Sequence, residues 1–474
     1  MKKVIIAVAV VLALTGVLFY RTCLRSSEIV ILSTNDIHAS LGNVPRLATA
    51  IKECRDTVFT IVADAGDRWT GNAYVDLATD RLPIIRVMNS LGYDVATLGN
   101  HEFDAGQQTL SNAVTYADFP IVCANMQSKD KRFNRIAPVS RITTPQGVDV
   151  DIVGVVTSFA DGRPDGNEAS FEGLTFENAI DVAERECRQS AGDVKILLSH
   201  MGDDRDMELA ARYAGYDMII GGHTHRLLDT LVNGTVIGQT ERKLKYVGVT
   251  RVKMRGRNVV GVEYENIPLS NYAEDEEAKA LVADIEANPA LKVVVGTVAK
   301  SLNHEGLGNL QTEVLRDATR ADIGIYHKGG IRLEELPKGE VTVKMLFDNE
   351  PFFSRVHTAE MTPADLRRLI IEKYNDATNA KEAHRIDLYA TTPYNIIVDK
   401  SDMAYDVEFP RLKEGNYYTV AIADYVARNY KGFNARNEVR TPLLVYDLDV
   451  AYFAKHSPVK ISSQPRQKIV VRKR

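Results

Sequence analysis

The sequence predicts an α/β protein: a layered domain over residues 26–270, a helical linker over 271–291, and a second α+β body over 292–474. Three observations predict it. A chain of 474 residues is too long for one hydrophobic core. Short apolar runs alternate with amphipathic stretches through the first half, the mark of strands layered against helices. An acidic, alanine-rich stretch, Ala273-Glu274-Asp275-Glu276-Glu277-Ala278, then interrupts the pattern and suits a solvated helix between two bodies.

Lys2 and Lys3 precede an apolar run over residues 4–20, roughly 17 residues and near the lower limit for a membrane span. This is an export segment over residues 1–25. Tyr20, Arg21 and Thr22 before Cys23 form no cleavage site, which favours an uncleaved anchor with the rest of the chain outside the cytoplasm. Strands are then expected at residues 29–32, 58–62, 95–98, 121–124, 150–156, 194–198 and 218–220. Helices are expected at 44–55, 82–91 and 175–188, where apolar residues recur at helical spacing. Residues 235–238 and 246–254 read as hairpin strands. In the second body, 306–318 and 363–375 read as helices, and 322–325 and 417–422 as strands.

Composition excludes some classes of function. With 58 basic and 63 acidic residues the net charge is -5, so nothing favours a nucleic-acid polymer as partner, although a small anion can still find a local cationic site. Beyond Cys23 there are only Cys54, Cys123 and Cys187, with neither CxxC nor zinc-type spacing. Cys123, beside an apolar run, is expected to be a buried free thiol.

The chemistry sits where strands end. Asp36 and His38 follow the run 29–32, Asp64 and Asp67 follow 59–62, and Asn100, His101 and Asp104 follow 95–98; His200 follows 196–198, and His223 and His225 follow 218–220. Five strands thus deliver Asp, Asn or His at their C-terminal ends, the edge where sheets covered by helices bind ligands. The chain has 10 histidines, and five of them occupy these positions. A lone His after a strand is usually a hydrogen-bonded structural residue, but coincidence at five strands is hard to sustain. Two divalent ions about 3.5–4 Å apart need a shared anionic bridge amid carboxylate, imidazole and amide donors, and Asp67 suits the bridge. With Asp36 and Asp67 ionised and the imidazoles neutral, two dications keep a charge of about +2, matched to a phosphate dianion.

The segments Asp36-x-His38, Gly66-Asp67, Gly99-Asn100-His101-Glu102, His200 and Gly222-His223-x-His225 resemble the calcineurin-like metallophosphoesterase motif set, complete and in order. Gly99-Asn100-His101-Glu102-Phe103-Asp104 narrows the resemblance to the 5′-nucleotidase and UDP-sugar hydrolase branch. The second body resembles that family's C-terminal domain through Gly308-Asn309-Leu310, Ala321-Asp322-Ile323 and Gly329-Gly330-Ile331-Arg332. The resemblance implies a layered β-sandwich flanked by helices and a second α+β substrate-binding domain. It implies that Asp36, His38, Asp67 and His225 hold one ion, and Asp67, Asn100, His200 and His223 the other. It also implies a hydroxide shared by the metals as nucleophile, with His101, oriented by Asp104, stabilising the transition state. Zinc, manganese, iron and cobalt all suit the donors.

The expected substrate is a small phosphorylated molecule, a nucleoside 5′-monophosphate first, with UDP-sugars or 2′,3′-cyclic nucleotides as alternatives. Arg332 would pair with phosphate or carboxylate, and Tyr425 or Tyr389 would stack on a base; Tyr394 is a further candidate. The chain departs from the family at Asn429-Tyr430-Lys431-Gly432-Phe433, where the family carries Gly-Gly-Asp-Gly-aromatic. It also lacks arginines in residues 299–305. A peptidase or lactamase is disfavoured because HExxH and HxHxDH are missing. A binding module with a decayed site is disfavoured by the intact ligand set.

Overall fold

The computed structural model describes residues 26–158, 162–166, 168–379 and 386–472. The expected N-terminal anchor, residues 1–25, lies outside them. Among the described residues no helix is long and apolar enough to cross a membrane. The chain divides into two compact units. The first runs to residue 287 except for residues 71–73, which group with residues 288–474 in the second.

The first unit is built on two six-stranded sheets. One has the order β14-β13-β1-β2-β3-β4, with β1 Ser26–Thr34, β2 Thr60–Asp64, β3 Val95–Thr97, β4 Ile121–Val122, β13 Tyr246–Arg255 and β14 Asn258–Pro268. The other has the order β11-β12-β10-β9-β7-β6, with β6 Val139–Thr143, β7 Asp149–Val156, β9 Val194–His200, β10 Met218–Gly221, β11 Leu227–Val232 and β12 Thr235–Thr240. A small pair, β5 Met126–Ser128 and β8 Leu174–Phe176, stands apart.

Alternation along the strands explains the layering. In β1, Ile29 and Ile31 pack with Ile61, Ile152, Ile196 and Ile220 in the core between the sheets. Val30 and Leu32 point the other way, onto α1 Val44–Arg55, α2 Leu82–Leu91 and α3 Gly106–Tyr116. The second sheet is covered likewise, with Val153, Leu197 and Ile219 against α4 Ala179–Gln189 and α5 Asp203–Arg212. Strands buried on both faces lose the half-polar alternation of a surface sheet, which is why the sequence shows continuous apolar runs.

Helix α6, Glu276–Ile285, lies in the acidic stretch. It packs on the first unit through buried Ala278, with Leu281, Val282 and Ile285 against the same core. Residues 235–238 and 246–254 form hairpin strands as expected. β12 pairs with β11 and β13 with β14, in different sheets. Asn233-Gly234 supplies the tight left-handed turn between β11 and β12 (φ 49° and 85°).

In the second unit a five-stranded sheet runs in the order Leu388–Ala390, Ile323–His327, Tyr418–Ala423, Arg355–Met361, Arg436–Leu444. Helices His304–Thr319 and Pro363–Asn379 pack with it. Ile323–His327 and Tyr418–Ala423 are parallel, so the segments leaving their C-terminal ends, which carry Arg332 and Tyr425, emerge on one edge.

Candidate metal centre

Parallel pairing of β1, β2 and β3, and of β9 and β10, aligns the five ligand-bearing strand ends. Asp36, His38, Asp67, His223 and His225 all have positive φ, from 47° to 79°. Such backbone costs about 1–3 kcal/mol per residue and persists only where its surroundings enforce it. Here they do: Asp36 N–H donates to Gly66 O at 2.9 Å and His38 N–H to Asp67 O at 3.0 Å. His223 N–H reaches both oxygens of Asp36 at 3.1 and 3.0 Å. Glycine at 99 permits the contact between the β2 and β3 loops, because a Cβ there would lie 2.2 Å from Asp67 Oδ1.

Donor atoms about 2 Å from a common ion stand within about 4 Å of one another, and the side chains meet that condition. His225 Nε2 is 2.9 Å from His38 Nε2 and 3.4 Å from Asp36 Oδ1, and His38 Nε2 is 4.0 Å from Asp36 Oδ1. Beside them His200 Nε2 is 3.1 Å from Asp67 Oδ2 and 4.0 Å from Asp36 Oδ1, and His223 Nδ1 is 3.1 Å from Asn100 Oδ1. Asp67, His200 and His223 form one triad, and Asp36, His38 and His225 another. All seven residues expected to hold metal are therefore together. The donor set fits a pair of ions, since His200 Nε2 is buried without a hydrogen-bond partner although Asp67 lies beside it. Its Nδ1 is held 2.7 Å from Ala65 O, and His38 Nδ1 is held by Trp69 O and Thr70 O at 3.2 and 3.0 Å. Such anchoring turns each Nε2 toward the centre. The residues form a dinuclear divalent-metal site.

Electrostatics without metal carry the same message. Burial opposes charge on His200, but Asp67 prevails and pushes its pKa up to about 10. Burial likewise opposes charge on Asp67, yet His200, His101 and His38 hold it well below the usual carboxylate range. Burial, then repulsion from His200, drives His223 down to about 4. Positive charge is thus favoured between Asp67 and His200, where an ion would supply it.

His101 borders this set with its side chain 19% exposed and Nε2 3.9 Å from Asp67 Oδ2. Its Nδ1 is 2.7 Å from Asp104 Oδ2, and its backbone N–H donates to Asp67 Oδ1 at 2.9 Å.

Sequence reasoning passed over three supporting residues. Buried Asn35 donates to Asp36 Oδ2 at 2.6 Å and accepts from Thr240 N–H at 2.8 Å. Buried Glu102 accepts from the N–H groups of Asp67, Arg68 and Gly99 at 2.9, 2.9 and 2.5 Å. Fully buried Arg68 lies 3.8 Å from Glu102, 3.6 Å from Asp64 and against Thr97 O. The only signal was adjacency, with Asn35 beside Asp36, Arg68 beside Asp67 and Glu102 inside the Gly99–Asp104 motif.

In the second unit Arg332 is half-buried, its N–H bonded to Asn349 O at 2.9 Å and its guanidinium 5.4 Å from the Phe352 ring centroid. Half-buried Tyr425 stacks on His327 with centroids 4.6 Å apart. Tyr389 is not available as a stacking platform: it is 1% exposed, packs against Gly308 and bonds His304 Nδ1 at 3.0 Å. Tyr394 is equally buried, its hydroxyl donating to Leu388 O at 2.5 Å. Both lie on short strands whose alternation turns their rings into the core.

Residues 29–227 match the calcineurin-like phosphoesterase model, and residues 289–438 match the 5′-nucleotidase, C-terminal domain model. The trifunctional nucleotide phosphoesterase protein YfkN of Bacillus subtilis is 27% identical over 74% of this chain, a stretch that spans only 28% of that protein. Protein UshA of Yersinia enterocolitica is 25% identical over 94% of each chain. The crystal structure of the 5′-nucleotidase precursor from Thermus thermophilus superposes with a TM-score of 0.80 at 21% identity. The superposition covers 94% of this chain and 99% of that one. With both domain models matched in order, and a relative aligned along almost its whole length, the chain belongs to the 5′-nucleotidase family of metallophosphoesterases.

Proposed function

We propose that the chain hydrolyses phosphate esters of small molecules, nucleoside 5′-monophosphates first, at a centre where Asp36, His38, Asp67 and His225 hold one divalent ion and Asp67, Asn100, His200 and His223 hold the other. One observation carries this proposal: seven donors from five strand ends converge, with His101 at their border. Bound there, the ions supply positive charge and an acidified water for the hydrolysis. Asp67 spans both donor sets. His101 donates Nδ1–H to Asp104, whose carboxylate supports the protonated ring, and presents Nε2–H as a donor to the oxygens of a phosphate, where charge grows in the transition state. Family membership and the name of the Bacillus relative support nucleotides as the substrate class, and that name favours a wider range of nucleotide esters as the second reading. Tyr425, half-buried with its ring stacked on His327, supports base stacking, and Arg332 supports pairing with an anion. Lys2 and Lys3 before the apolar run over residues 4–20 support action outside the cytoplasm.

A panel of AMP, UMP, UDP-glucose, 2′,3′-cyclic AMP and sugar phosphates, assayed with manganese or zinc, tests the proposal. Metal-dependent release of phosphate, fastest from the 5′-monophosphates, is expected; release from none would discard it. His101→Ala should lower turnover about 100-fold or more at unchanged metal content.

A further inference from the structure

Thr70 follows Asp67 by three positions and belongs to none of the sets above. It is fully buried and has φ 69°, a conformation that a β-branched residue adopts only under constraint. The constraint is visible. Its N–H donates to Asp76 Oδ1 at 2.9 Å. Arg81, 2% exposed and itself left-handed at φ 51°, places Nη1 3.0 Å from Thr70 Oγ1 and 3.5 Å from Asp76 Oδ1. Thr70, Asp76 and Arg81 close a ring of buried polar contacts.

The direction of each bond follows from the donor inventory. A guanidinium only donates, so Thr70 Oγ1 accepts from Arg81 and must send its own proton elsewhere. Asp104 Oδ2 lies 2.6 Å away, and it is the same oxygen that His101 Nδ1 meets at 2.7 Å. The Thr70 carbonyl meanwhile faces His38 Nδ1 at 3.0 Å. With the left-handed backbone, carbonyl and hydroxyl serve two different imidazoles from one residue.

We propose that Thr70, with its hydroxyl oriented by Arg81, is a positioning residue that fixes Asp104 and through it the ring of His101. The assignment deepens the phosphoesterase proposal above and rests on it for its activity measurement alone. Thr70→Val keeps the β-branch and removes only the hydroxyl; Thr70→Ser keeps the hydroxyl. With p-nitrophenyl phosphate and saturating zinc, Thr70→Val should lower kcat roughly tenfold or more, as losses of such outer contacts do, with KM and zinc content unchanged. Thr70→Ser should restore kcat to within about threefold, and in an Asp104→Asn background Thr70→Val should change kcat by less than about twofold, because the two residues act as one unit.

A second readout needs no turnover. In zinc-loaded protein carrying ¹⁵N-histidine, the His101 Nδ1–H resonance, assigned by its loss in His101→Gln, should persist in Thr70→Ser and be lost to solvent exchange in Thr70→Val. The assignment is overturned if Thr70→Val keeps both kcat and the resonance, if Thr70→Ser is as impaired as Thr70→Val, or if the Thr70 and Asp104 effects multiply. Should the unaltered protein hydrolyse no ester, the phosphoesterase proposal fails, and the resonance decides the role of Thr70 by itself.

Discussion

Replacing Glu102 by Gln tests whether the metal loops are held from beneath. Oε2 of Glu102 accepts from Asp67 and Gly99 N–H, while Oε1 accepts from Arg68 N–H and lies 3.8 Å from the Arg68 guanidinium. A glutamine must turn its NH₂ toward one of these groups, and the Oε1 side is less unfavourable because it confronts one backbone donor instead of two. That leaves a buried N–H unsatisfied, at about 1–3 kcal/mol. Arg68 also loses one anion, but it keeps Asp64 at 3.6 Å. Asp64 is pushed up to about 7, chiefly by burial with Glu102 adding to it. Without Glu102 the Asp64 pKa falls, and its fuller ionisation offsets the loss, so the change stays below the roughly 3–5 kcal/mol of a broken buried pair. The sum is about 2–4 kcal/mol, or a melting point lower by roughly 4–16 °C for a unit of this size. Zinc affinity should fall about 10–100-fold as Asp67 loosens. Thermal unfolding with and without zinc, together with calorimetric titration, reads both quantities. A variant melting within about 2 °C of the parent with unchanged zinc affinity would refute the reasoning.

Gly99→Ala puts a Cβ 2.2 Å from Asp67 Oδ1 and 2.6 Å from its backbone nitrogen, so zinc binding by titration should weaken at least about tenfold while the circular dichroism spectrum holds. Glu350 gives a pH dependence. Burial first, then Asp424, pushes it from its ordinary 4.5 up to about 7 against the opposing bonds of Ser354 and Tyr326. Because the folded chain holds that proton more tightly, its contribution is complete below pH 4.5 and is lost as pH rises through about 7. The urea midpoint should therefore drop between pH 5 and pH 8, and drop less in Glu350→Gln. Tyr425→Ala should raise KM for AMP about 5–150-fold, the equivalent of one lost stacking contact, without changing KM for p-nitrophenyl phosphate. Tyr389→Phe should leave both constants alone, and a rise in KM for AMP there would reinstate Tyr389 as a substrate contact.

How far the sequence revealed the fold depended on burial. β1, β9 and β10 are covered on both sides and stand out as apolar runs, and α1 and α2 span the same residues in sequence and structure. α5 escaped notice because its first turn carries Asp203, Asp204 and Asp206, with Asp203 and Asp206 buried against expectation. β11 and β14 expose alternate residues at a sheet edge, so their apolar content is halved and the signal fades. β12 and β13 read as hairpin strands, and each is one, closing on β11 and β14; which sheet each hairpin joins is set by pairing with β10 and β1 and leaves no mark in the local sequence.

The site was legible for a related reason, which also marks the limit of such reading. The expected metal ligands of this chain are Asp, His or Asn at or shortly after the C-terminal end of a strand, so residue type and position together betray them. The groups that hold those ligands obey no such rule. Glu102 serves Asp67 across 35 positions and Asn35 serves Thr240 across 205. What selects them is an orphaned N–H or carboxylate oxygen that exists only once the loops meet. The left-handed residues follow the same logic. Asp36, His38, Asp67, Thr70, His223 and His225 each accept an unfavourable φ, and none is glycine, because the side chain itself is needed at that point. A strained backbone under a polar side chain, held by buried partners, therefore marks where this fold gives up stability for geometry, and it points to Thr70 as directly as the motif points to Asp67.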